Sequence, residues 1–237
     1  MHPPNEKTLA ILLALIAGYV DACGFRVFGT FVSFMSGNTT QTGVLLGEQR
    51  FDAALLFVVA IAFFVAGSFA GTWLNDLAVR GSRQLLFTAV AVLLGTTIGI
   101  MHTRSMHSTA SIAMLASAMG MINTAVSQVD SERVSLTFVT GDLSRIGKHL
   151  ALALKSALVR ADDSLKAHLG RTFLLSSVWL AFLTGAVLSG GAIAYLRQWM
   201  LLPPFLVILV LSLSSGAGRS GAMLRKSHLD VSRHNDS

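Results

Sequence analysis

Six stretches of the chain, at about 8–27, 52–75, 84–101, 108–128, 172–195 and 202–218, are apolar over the length needed to cross a hydrocarbon core. Charged residues make up 13% of 237 residues and hydrophobic ones 53%, with mean hydropathy +0.64, whereas a soluble domain carries about a quarter charged residues. The expected fold class is therefore all-α: a single polytopic transmembrane domain over residues 1–237.

Two further segments, about 30–47 and 134–154, are helical in composition but rich in Gly, Ser, Thr and Asn. As full spans they would give eight crossings; as broken or re-entrant elements they leave six. Basic residues favour six. With both termini cytoplasmic, only Arg26, Arg50, Arg104 and Arg197 of 18 lysines and arginines then fall outside, which suits the retention of basic loops on the cytoplasmic side. Eight spans would strand Arg145 and Lys148 in the membrane. The basic stretch 155–171 is expected as a cytoplasmic loop, and 219–237 as a flexible basic tail.

Net charge +6 and a pI near 10.1 arise from these flanks, and no aromatic-basic module for nucleic acid is visible. The lone Cys23 excludes an intrachain disulfide framework and a cysteine-built metal site. The first apolar run reads as an uncleaved helix, since Asp21 fits a lipoprotein cleavage box poorly and further spans follow.

The polar segments repeat. Gly18-Tyr-Val-Asp21 aligns with Gly120-Met-Ile-Asn123, and FMSGNTTQTG (34–43) aligns with FVTGDLSRIG (138–147). Each half, 8–101 and 108–218, then reads as one span, one motif element and two more spans. An odd number of spans per half turns the second half upside down, a plan common among secondary transporters with interrupted helices.

The stretches GYVDACGF, FVSFMSGNTTQTG, GMINTAVS and LTFVTGDLSRIG resemble the YoaK, or DUF1275, family of bacterial integral membrane proteins over nearly the whole chain. The resemblance implies an inner-membrane, multi-span, single-domain protein and no particular substrate. Ser36 stands where that family usually has Thr. Asp142 occupies a position expected to vary, so any charge role there is a feature of this member.

Candidate binding residues follow from chemistry at depth. An acid in a span faces a bundle interior or aqueous cavity, which makes Asp21 a candidate proton or cation site. The competing reading is a surface pair with Arg26. Gly37 permits a backbone break, and Ser36 or Asn38, with Thr39, could cap a helix whose N-terminus receives an anionic or carbonyl group. The competing reading is small-residue helix packing. Thr140, Gly141 and Asp142 match this motif, but an acid there caps its own helix or favours a cation. Asn123 and Asn38 exchange amide for acid with Asp21 and Asp142, and Arg145 could neutralise one acid. His102, His107, His149 and His168 read as solvated loop residues, and no metal spacing, cofactor fingerprint or catalytic grouping is visible. The expectation is a non-enzymatic permease for an unidentified small molecule or ion, with a membrane scaffold as alternative. Partners are the lipid bilayer and the solute, no nucleic acid, and a homo-oligomer as an open alternative.

Overall fold

A computed structural model of the chain describes residues 5–76, 81–102, 108–125, 128–129, 132–133 and 139–215. Eight α-helices dominate it: α1 (Glu6–Phe28), α2 (Met35–Gly47), α3 (Phe51–Asp76), α4 (Ser82–His102), α5 (Ser108–Ala125), α6 (Val139–Leu158), α7 (Asp162–Leu196) and α8 (Leu202–Ser215). A two-residue antiparallel pair, Gln128–Val129 with Glu132–Arg133, is the one ladder among the described residues. Helices α1, α3, α4 and α7 are long and apolar enough to cross a membrane, while α5 and α8 are shorter. The expected spans 8–27, 52–75, 84–101, 108–128, 172–195 and 202–218 fall on α1, α3, α4, α5, α7 and α8, and the polar segments fall on α2 and α6.

Helix α1 is the central post. Asn5 caps it by accepting the Lys7 N–H at 3.1 Å, and Gly29 ends it in the left-handed region (φ 70°), donating to Phe25 O. Leu9, Leu13, Ile16, Val20 and Cys23 on it are fully buried and join Leu86, Phe87, Val90 and Leu94 of α4, Leu115, Met119 and Ile122 of α5, and Ile208 of α8 in one core. Helix α3 differs: it buries chiefly Ala54, Ala60, Gly67 and Gly71 and exposes Phe51, Leu55, Phe63, Phe69 and Trp73. That inversion of the soluble pattern marks a lipid-facing helix, apolar all round.

In lipid the hydrophobic effect does not pull helices together, so close contact of small-residue faces must. Two crossings use it. A Cβ on Gly18 of α1 would land on the Phe182 carbonyl of α7, and one on Gly185 of α7 would land on the Leu15 carbonyl of α1. Likewise Gly67 of α3 abuts the Ser117 backbone of α5, and Gly120 of α5 abuts that of Phe64 and Ser68.

Contacts along the helices fix their directions. Ser117 Oγ donates to Phe63 O, Ser68 Oγ to Gly120 O and Asn75 Nδ2 to Thr124 O, so α3 and α5 run parallel. Thr88 pairs with Ser212 at 2.7 Å, and Gly95 lies beside Phe205, so α4 and α8 run antiparallel. Arg83 bonds Glu6 at 2.8 Å, joining the starts of α1 and α4. His102 packs on Trp199 at 4.3 Å, joining the end of α4 to the segment after α7. Helices α1, α4 and α7 therefore point one way and α3, α5 and α8 the other. The hairpin tips α2–α3 and α6–α7 lie at opposite ends.

Two expectations change. The stretch 155–171 is helical except at 159–161, because α6 continues to Leu158 and α7 starts at Asp162; its charges line a helical hairpin and not a loop. His149 is buried, not solvated, and its Nδ1 meets Nδ1 of His168 at 3.1 Å across that hairpin. His102 bonds Ile98 O and packs on Trp199. His107 and the tail from 216 onward, with the expected 219–237 segment, lie outside the described residues.

Candidate functional site

The residues after α1 fold back along it. Gly29 reverses the chain, and Phe31 stacks on Phe25 with ring centroids 4.6 Å apart. Val32 then lies against Gly24, and the N–H groups of Val32 and Ser33 donate to Asp21 Oδ1 at 2.9 and 2.7 Å. Asp21 precedes the end of α1 by seven residues, about 10 Å of helix, so the bent segment 30–33 re-enters by that depth. Thr30, Val32 and Ser33 are all buried there.

Helix α2 starts from this depth. Its 13 residues cover about 20 Å, short of a hydrocarbon core of about 30 Å. Its first residue is preceded by Phe34, which supplies no side-chain cap. The Asp21 carboxyl group accepts from the peptide N–H groups just ahead of α2, on the side of the positive end of the helix dipole. Asn38, fully buried, ties the other side of the re-entrant segment: its Nδ2 donates to Phe31 O at 2.7 Å. A Cβ on Gly37 would enter the Phe34 ring, so glycine here admits that ring.

The remaining members of the first motif turn outward. Ser36 and Thr39 are exposed, and the Thr39 and Thr40 hydroxyls return to the carbonyls of Met35 and Ser36 at 2.8 and 3.0 Å. Hydroxyls so satisfied within their own helix need no partner from a neighbouring one. Asp21 thus takes neither of its expected forms in full: it is buried, and it forms no ion pair with Arg26. Its bonded partners are backbone groups.

In the second half, Asp142 is buried in the first turn of α6 and pairs with Arg145 at 3.6 Å. Thr140 is exposed, Gly141 half-buried, and Asn123 half-buried near the end of α5. The two motif helices pack on different spans, α2 on α3 and α6 on α7. Among the described residues no three histidine, cysteine or acidic side chains gather as a metal site.

Sequence reasoning missed one feature. Asp142, His149 and Ser156, spaced by seven, form the buried polar face of α6 against α7. The spacing itself was the available signal, since seven residues are nearly two whole turns.

The chain matches the family model described as a protein of unknown function (DUF1275) over residues 9–214. It is 32% identical over 143 residues to the UPF0700 transmembrane protein RA0705 of Rhizobium meliloti (strain 1021). That match covers 60% of this chain and 60% of the relative's length. No solved structure matches. With the match running from α1 to α8, the chain belongs to the DUF1275 family of membrane proteins.

Proposed function

We infer that the protein is a multi-pass permease of the bacterial inner membrane for a small neutral or cationic solute, built from two inverted halves with both termini cytoplasmic. One observation carries the solute class: the Asp21 carboxyl group already takes the Val32 and Ser33 N–H groups just ahead of the start of α2. A half-helix N-terminus at that depth otherwise suits an anionic group. Here the chain supplies its own acidic acceptor, and in α6 Asp142 sits within the first turn.

The inverted plan is supported by the packing. Exchange of α1 with α5 and α3 with α7 converts the Gly18–Gly185 crossing into the Gly120–Gly67 crossing. Helices α1 and α5, first in each half, run in opposite directions. Alternating access would rock one half against the other around the two motif helices, driven by the solute's own gradient or by an ion.

A scaffold role is favoured by one fact: both Asp21 and Asn38 are bonded to the same re-entrant segment. A thermal-shift screen of the purified protein against neutral, cationic and anionic metabolites separates the two readings, because a bound ligand raises Tm by mass action. The permease reading expects a neutral or cationic hit, lost in Asp21→Asn although the unliganded protein keeps its Tm. Hits confined to anions would contradict it, and a screen without hits would favour the scaffold.

A further inference from the structure

Helix α6 has its polar side inward and its apolar side outward. Asp142, His149 and Ser156 are buried, whereas Leu143, Leu150, Leu154 and Leu158 are 45%, 49%, 65% and 78% exposed. Their spacing of seven, four and four puts the leucines on one stripe. Lys148 and Lys155, two turns apart, border that stripe, and Arg160 and Lys166 follow at the tip of the hairpin. All four are exposed. Asp162 and Asp163 sit in the first turn of α7, where they complement its dipole. The corresponding α2–α3 tip carries Glu48, Arg50 and Asp52 instead.

Depth completes the picture. The 35 residues of α7 extend about 52 Å, some 20 Å beyond a hydrocarbon core of about 30 Å. Its charged first turns and the end of α6 therefore stand at the interface, at the end of the molecule where α1 begins. An apolar stripe bordered by cations at that level matches the acyl–headgroup boundary of an anionic leaflet.

We propose that the outer face of the α6–α7 hairpin binds anionic phospholipid, with acyl chains on the Leu143–Leu158 stripe and phosphate held by Lys148, Lys155, Arg160 and Lys166. A second copy suits this face less well. Two-fold pairing of the stripes would bring the bordering lysines of both copies together, and the acid of α6, Asp142, lies on its buried side. The proposal is independent of transport, since a scaffold would carry the same surface.

The test is native mass spectrometry and thermal stability of the protein in phosphatidylcholine, with phosphatidylglycerol added or withheld. Phosphatidylglycerol should be retained preferentially and raise Tm, and salt should weaken the preference. Each of Lys148→Gln, Lys155→Gln, Arg160→Gln and Lys166→Gln should lower that preference about fivefold, with Tm in phosphatidylcholine unchanged. A photoreactive phosphatidylglycerol should crosslink within 143–166 and not within 44–58, a readout on the unmodified protein. Retained preference in the fourfold variant, an equal effect of inorganic phosphate, crosslinking at 44–58, or a dimer that Leu150→Ser and Leu154→Ser dissolve would each overturn the assignment.

Discussion

The α2–α3 and α6–α7 hairpins share one turn and differ in length and charge. In both, a non-glycine residue adopts the left-handed region: Gln49 at φ 59° and Arg160 at φ 53°. In both, the next N–H reaches five residues back, Arg50 to Leu45 O at 2.8 Å and Ala161 to Ser156 O at 2.9 Å. Yet α2 has 13 residues and α6 has 20. Seven extra residues are almost two full turns, so the added length preserves which side faces the neighbouring span. The two hairpins thus share a turn and a packing register while α6 is the longer helix. The added length carries charge, and the shorter hairpin has a re-entrant segment whose acid comes from the helix before it.

If the two halves are equivalent where they cross, damage at the crossings should be equivalent too, and large. Gly18→Leu and Gly120→Leu each force a side chain into backbone that cannot move aside. Both should abolish a monodisperse folded species in size-exclusion chromatography. Gly43→Leu and Gly147→Leu, at matched positions with open space around them, should leave it intact. A folded Gly120→Leu beside an unfolded Gly18→Leu would break the equivalence.

The anchors of the two hairpins come next in size. Asp21→Ala leaves two buried N–H groups without their acceptor, at about 1–3 kcal/mol each, and should lower Tm by roughly 5–15 °C. Asp21→Asn keeps an acceptor oxygen and should shift Tm far less. Equal losses in the two variants would show that charge, and not the acceptor, holds the segment. In the longer hairpin, His149→Ala removes the bond to His168 and should cost about 1–2 kcal/mol, read as a drop of a few degrees. The exposed Arg50–Glu48 pair, with side chains 63% and 52% exposed, should matter least: Arg50→Gln should change stability by under about 1 kcal/mol.

The apolar helices, four of them long enough to cross a membrane, and the two polar helices were legible because lipid imposes long apolar runs that nothing else in the chain imitates. The paired motifs were legible because Gly18 precedes SGN, and Gly120 precedes TGD, at spacings that differ by only two residues. What Asp21 does was not. Its partners are the backbone N–H groups of Val32 and Ser33, eleven and twelve residues on, and peptide groups leave no mark in a sequence. The basic stretch 155–171 looked like a loop because a helical hairpin at an interface shares the composition of a solvated segment. His149 looked solvated because only its contact with His168, across the turn, reveals that it is covered.

Opposed hairpins are the central claim, and Cys23, buried and alone among 237 residues, makes that claim easy to test. In a Cys23→Ala background, Gln49→Cys and Arg160→Cys place one thiol at each tip. An impermeant maleimide applied to intact cells should label position 49 directly and position 160 only after the membrane is opened. Labelling of both from the same side would contradict the inverted halves and the permease built on them.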